Sequence, residues 1–115
     1  MAEKEVIEKN FREYLEIADY SFGRRKFNTA VTLYYKALVE LCDLELLGKL
    51  NRIGANHGER FELLRTASPS LYSLASKLFR FYRDSYSKEI SETTAKLVKR
   101  EVENAKRIIL DSKKN

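Results

Sequence analysis

The sequence predicts an all-α fold, an up-and-down antiparallel bundle of four long helices plus one short helix. Three observations carry that expectation. Only one proline and four glycines occur in 115 residues, so long stretches run without a breaker. Apolar residues recur at spacings of three and four through most of the chain. The breaks between periodic stretches are mostly short, and short connections make neighbouring helices antiparallel.

The first helix is expected over about 3–22. Ile7, Phe11, Tyr14, Leu15, Ala18 and Phe22 share one face. Glu3, Glu5 and Glu8 put negative charge at its N-terminal end, where the helix dipole favours it. Gly23 is the expected terminator. The second helix is expected over about 28–48, capped by Asn28 or Thr29 and ended by Gly48. Ala30, Leu33, Tyr34, Ala37, Leu41 and Leu44 form its stripe. Leu38, Leu46 and Leu47 widen that stripe, so this helix is central or contacts a second chain. A short helix over 58–66 carries Phe61, Leu63 and Leu64. Ser68 as cap and Pro69 at the first position start a fourth helix, which runs to about 86 and buries Leu71, Leu74, Ala75, Leu78 and Tyr82. Ser91 caps a last helix over 92–111. Its stripe is Val98, Val102, Ala105 and Ile109, flanked by Leu97 and Ile108, and residues 111–115 form a fraying tail.

Composition bounds the function. Residues 1–115 have the length of a single domain. Cys42 is the only cysteine, which excludes an internal disulfide and suggests a reducing, cytoplasmic location. The N-terminal residues are charged and periodic, unlike a signal peptide, and no stretch is long and apolar enough to span a bilayer, so no membrane partner is expected. The net charge is +5, but residues 1–22 carry −3, which leaves +8 on the rest. A basic body attracts phosphate-rich partners, and it equally suits a solvated helical surface. No Gly-rich phosphate loop occurs. One histidine and one cysteine cannot build an ordinary zinc site, so neither metal nor cofactor is expected. Cys42 lies in an apolar helix and reads as core rather than nucleophile.

Three segments carry candidate chemistry. Residues 49–58, KLNRIGANHG, form the longest irregular piece and hold the only histidine, His57. Arg24, Arg25 and Lys26 make a basic connection that could touch phosphate or simply be solvated. Phe79, Phe81, Tyr82 and Tyr86 interleave with Arg80 and Arg83. That pattern suits single-stranded nucleic acid and suits a dimer interface, the favoured reading. Tyr34 is expected in the core and Tyr35 more laterally, with packing the default for both.

The second helix reads TAVTLYYKAL at residues 29–38. Together with FGRRKF, Asn56-His57-Gly58, Arg83-Asp84-Ser85-Tyr86 and the closing ETTAKLVKREVENAKRII, in that order, it resembles the HEPN (higher eukaryotes and prokaryotes nucleotide-binding) domain over nearly the whole chain. The resemblance implies a helical bundle, usually a homodimer, that associates with nucleotides or RNA. It also implies a minimal nucleotidyltransferase as partner, in a toxin–antitoxin pair. The family's catalytic branch carries an arginine, a polar residue, a few further residues and then a histidine. Here Arg83-Asp84 matches the opening, but Tyr86 and Ser87 occupy the next turn and no histidine follows. Arg52 and His57 have the bare spacing, with Ile53 where the motif prefers a polar residue. The expectation is at most a metal-independent ribonuclease with a degenerate motif. Arg83 and His57 are its catalytic candidates, and Arg52, Arg83, Asp84, Tyr86, Arg24, Arg25 and Lys26 its nucleotide- or RNA-binding candidates. His57 could also be a solvated or capping side chain, and Arg83 with Asp84 a structural ion pair. A rival reading is a tetratricopeptide-like interaction module, because Ala30, Tyr34 and Ala37 also resemble such a repeat, although no second copy follows.

Overall fold

The computed structural model describes residues 3–111. It has five α-helices, α1 Glu3–Gly23, α2 Phe27–Leu50, α3 His57–Ala67, α4 Pro69–Asp84 and α5 Glu92–Ile109. No strand occurs among the described residues. The Cα radius of gyration is 13.6 Å, against the ~13 Å expected of a compact chain of this length. No helix is long and apolar enough to cross a membrane among the described residues. The expected tail lies, from Ser112 onward, outside the described residues.

Helix α2 is the centre of the molecule. Both α1 and α5 pack chiefly on it, and α3 and α4 contact it as well as each other. That explains why its apolar positions exceed one stripe. Tyr34, Leu38 and Leu41 are fully enclosed, and so are Tyr35, Cys42 and Leu46 on another face. Each enclosed leucine contributes about 1.5–3 kcal/mol. Tyr35 is therefore core, not lateral. Burial pushes the Cys42 thiol up to about 12, so it is core and no nucleophile.

Several expected boundaries move, each for a local reason. Helix α2 passes through Gly48 and ends at Leu50, because Asn51 takes the left-handed conformation (φ 56°) and its N–H donates to Leu47 O. Its N-cap is Lys26, so neither Asn28 nor Thr29 caps it. The Asn28 side chain is committed elsewhere. It donates to Ser85 O (3.0 Å) and Lys88 O and accepts from Ile90 N (2.9 Å), which pins the α4–α5 connection onto the start of α2. Helix α4 stops at Asp84 rather than 86, and a turn follows. Ser68 occupies the cap position before Pro69 but its side chain makes no capping bond. Ser91 does cap α5, accepting from Thr94 N. Ile108 is 63% exposed and does not flank the core.

Candidate functional site

The site begins with a buried ion pair that folds the α2–α3 connection back onto α2. Arg60 donates from Nε to Asp43 Oδ1 (2.9 Å) and from Nη2 to Asp43 Oδ2 (3.2 Å). Both residues are buried. The same guanidinium donates to Gly54 O, and Gly54 N donates to Asp43 Oδ1. Gly54 must be glycine here, since a Cβ would lie 2.7 Å from the Cβ of Arg60. Asn56 then caps α3, its side chain accepting from Glu59 N, and Glu59 accepts from Ala55 N. These bonds fix where the first residue of α3 points, and that residue is His57.

His57 is neither the cap nor a freely solvated ring. Its centroid lies 5.3 Å from Phe79, 5.7 Å from Tyr82 and 6.2 Å from Tyr35. Tyr35 stacks on Tyr82 at 4.7 Å and donates its hydroxyl to Ala75 O. Arg60 Nη1 lies 3.4 Å from His57 Nδ1. A guanidinium only donates, so Nδ1 accepts and the neutral ring keeps its proton on Nε2. Burial, then the Arg60 and Lys36 cations, lower the His57 pKa from its ordinary value, and Asp43 opposes them weakly. His57 is neutral at physiological pH.

A cleft of about 290 Å³ opens beside this ring, lined by Tyr14, Lys36, Glu40, Asn56 and Arg60 among others. Glu40 makes no hydrogen bond or ion pair among the described residues. Burial and the neighbouring Asp43 raise its carboxyl to about 7, with Arg60 opposing. Between its ordinary value and about 7 the folded protein holds a proton that the unfolded chain releases. Stability contributed by protonated Glu40 is therefore lost as pH rises through that window. We expect Glu40→Gln to melt a few degrees above the wild type at pH ~8 and to match it at pH ~4. Thermal unfolding followed by circular dichroism measures this, and an equal gain at both pH values would contradict it.

The sequence-predicted residues fall into three places. His57 lines the cleft, and Arg83 and Tyr86 flank the same aromatic cluster. Arg83 sits over the Phe79 ring at 5.5 Å, and Tyr86 donates its hydroxyl to Tyr82 Oη at 2.7 Å. Asp84 turns away to Lys88 (3.5 Å), so Arg83 and Asp84 form no ion pair with each other among the described residues. Arg52 is held by Glu59 at 3.2 Å, and the arginine that His57 meets is Arg60. Arg24, Arg25 and Lys26 form the α1–α2 turn, at the start of α2. There Arg25 (φ 60°) pairs with Glu92 and Arg24 covers the Tyr20 ring. The interleaved aromatics of α4 also divide. Phe79 and Tyr82 join the cluster, whereas Phe81 stacks with Arg80.

Sequence reasoning passed over Lys36, Glu40, Asp43 and Arg60. One signal was available, since Glu40 and Asp43 are acids within the most apolar helix. A larger groove, about 850 Å³, runs between α1, α2 and α5. Its floor includes Ile7, Phe11, Leu44 and Leu47, and it gathers none of the predicted site residues. Charged side chains such as Arg12, Glu16 and Lys106 also line the groove, and Glu40 borders both spaces, but the histidine and the tyrosines line the smaller cleft, where aromatic rings and cations meet. Comparisons with protein-family models, with curated proteins and with solved structures find no match for this chain.

Proposed function

We propose that this chain is a HEPN-like domain that binds a nucleotide or single-stranded RNA at the His57 cleft. In this reading it is an up-and-down antiparallel bundle and a cytoplasmic homodimer, partnered with a minimal nucleotidyltransferase in a toxin–antitoxin type of system. The observation that carries the binding role is the meeting of aromatic faces and cations at one place. Tyr35, Phe79 and Tyr82 surround His57, while Lys36 lies over Tyr82 (5.8 Å) and Arg83 over Phe79 (5.5 Å). Aromatic faces take bases by stacking, and a cation beside them can take a phosphate or a base edge. The enclosure of α2 by the other helices of its own chain favours a closed bundle over a peptide-binding repeat.

The reading is one of binding rather than strand cleavage. The neutral His57 directs Nδ1 at Arg60, Arg52 is engaged by Glu59 and Arg83 lies over the Phe79 ring, so among the described residues no arginine–histidine pair of the ribonuclease kind stands free. Titration of the purified protein with a short single-stranded RNA tests it. For one phosphate contact, by Arg83, affinity should fall roughly two- to threefold between about 50 and 200 mM salt. Arg83→Ala should weaken binding several-fold and flatten that dependence. Absence of binding at low salt contradicts the proposal. Cleavage that is lost in His57→Ala or Arg83→Ala contradicts the non-catalytic part of it.

A further inference from the structure

We propose that the cleft beside His57 selects guanine, with Lys36 and Glu40 reading the edge of the base. The proposal rests on the nucleotide-binding reading and adds which base is taken and by which residues.

Lys36 and Glu40 are one helical turn apart on α2 and both line the cleft. Such a pair usually closes on itself. Here Lys36 instead lies over the Tyr82 ring, and neither residue forms an ion pair among the described residues. A cationic donor and an acceptor with two oxygens are thus held side by side and unspent. Their order matches one nucleobase. The pairing edge of guanine presents an acceptor, O6, followed by two donors, N1–H and the 2-amino group. An ammonium can donate to O6 while a carboxylate accepts the two parallel bonds. Adenine and cytosine each offer that carboxylate one donor. Uracil offers one donor between two acceptors, which repel it.

The surroundings fit a single flat base. The cleft measures about 290 Å³, at the small end of ligand sites. Tyr14 and Tyr82 contribute aromatic surface to it, and His57, with Nε2 protonated, and Asn56 add donors at its rim. Asp43 does not compete for the ligand, because Arg60 occupies both of its oxygens. The charged and titratable groups sharing the cleft with Glu40 are Lys36 and Tyr35 on its own helix, the Asp43–Arg60 pair, Tyr14 from α1, His57 from α3 and Tyr82 from α4; across the larger groove, which Glu40 also borders, are Lys4, Glu8, Arg12, Glu16 and Asp19 of α1, Lys106 of α5 and Asp111. The same crowding keeps Glu40 protonated into the neutral range. A protonated carboxyl loses one acceptor, so guanine selection strengthens as pH rises from about 6 to 8.

The test is titration of the full chain with the four common nucleoside 5′-monophosphates and inosine 5′-monophosphate at pH ~8. Calorimetry can follow it, as can tyrosine fluorescence, since the chain has seven tyrosines and no tryptophan. Guanosine monophosphate should bind about tenfold more tightly than the adenosine, cytidine and uridine forms. Inosine monophosphate, which lacks the 2-amino group, should fall between. Glu40→Gln should reduce the preference to within about twofold while the protein still melts cooperatively. Equal binding of all the nucleotides overturns the guanine assignment and leaves the binding reading standing. A preference that survives in Glu40→Gln likewise overturns it. Failure of every nucleotide and of RNA to bind removes the underlying reading as well.

Discussion

Asp43→Ala is expected to lower the unfolding free energy by about 3–5 kcal/mol. The substitution leaves the Arg60 guanidinium enclosed without its carboxylate, where now two of its nitrogens donate to the two Asp43 oxygens. Gly54 O alone cannot replace that partner. Gly54 N would also lose its acceptor, so the α2–α3 connection loses its clasp. Removing both charges is a different experiment. The double change of Asp43→Leu with Arg60→Met should cost far less than Asp43→Ala, because no buried charge remains unpaired. Urea unfolding measures both. A loss below about 1 kcal/mol for Asp43→Ala would mean that the pair is solvated and positions nothing.

The second large effect is expected at Tyr35, which belongs at once to the core and to the cleft. It is 1% exposed, stacked on Tyr82 and beside His57. Tyr35→Ala removes a ring with close neighbours on several sides and should cost about 3–5 kcal/mol. Tyr35→Phe removes only the hydroxyl that donates to Ala75 O and should cost about 0.5–1.5 kcal/mol. The pair of variants separates packing from hydrogen bonding. It also bears on the site, since the alanine variant takes away the ring that backs Tyr82 and His57, while the phenylalanine variant keeps it. RNA affinity should therefore fall in the first and hold in the second. Similar stability losses in the two variants would show that the ring is not tightly packed.

The fold was legible because helical periodicity is a local property. The stripes of α1 and α5 correspond to buried Ile7, Phe11 and Ala18 and to buried Val98, Val102, Ala105 and Ile109. Ser91 was legible for the same reason, since a cap acts within three residues. Residues whose partners lie far along the chain were not legible. Asn28 looked like a cap and is instead a tie to residues near 88. Gly48 looked like a helix end, yet Asn51 can adopt the left-handed turn itself, and the helix continues to Leu50. In the site, His57 drew attention as a lone histidine, but its neighbours come from three helices. Asp43 and Glu40 sit in an apolar helix whose pattern reads as core. Nothing local distinguishes the acid that finds an arginine seventeen residues on from the acid left facing a cleft. Only the folded chain sorts them.

Backbone amide mapping by NMR during an RNA titration tests most directly the proposal that RNA or nucleotide binds where α2, α3 and α4 meet. The largest shifts should fall on residues 36–40, 56–60 and 79–86 and grow as salt is lowered. Shifts confined to the Arg24–Lys26 turn, or no shifts at low salt, would contradict it.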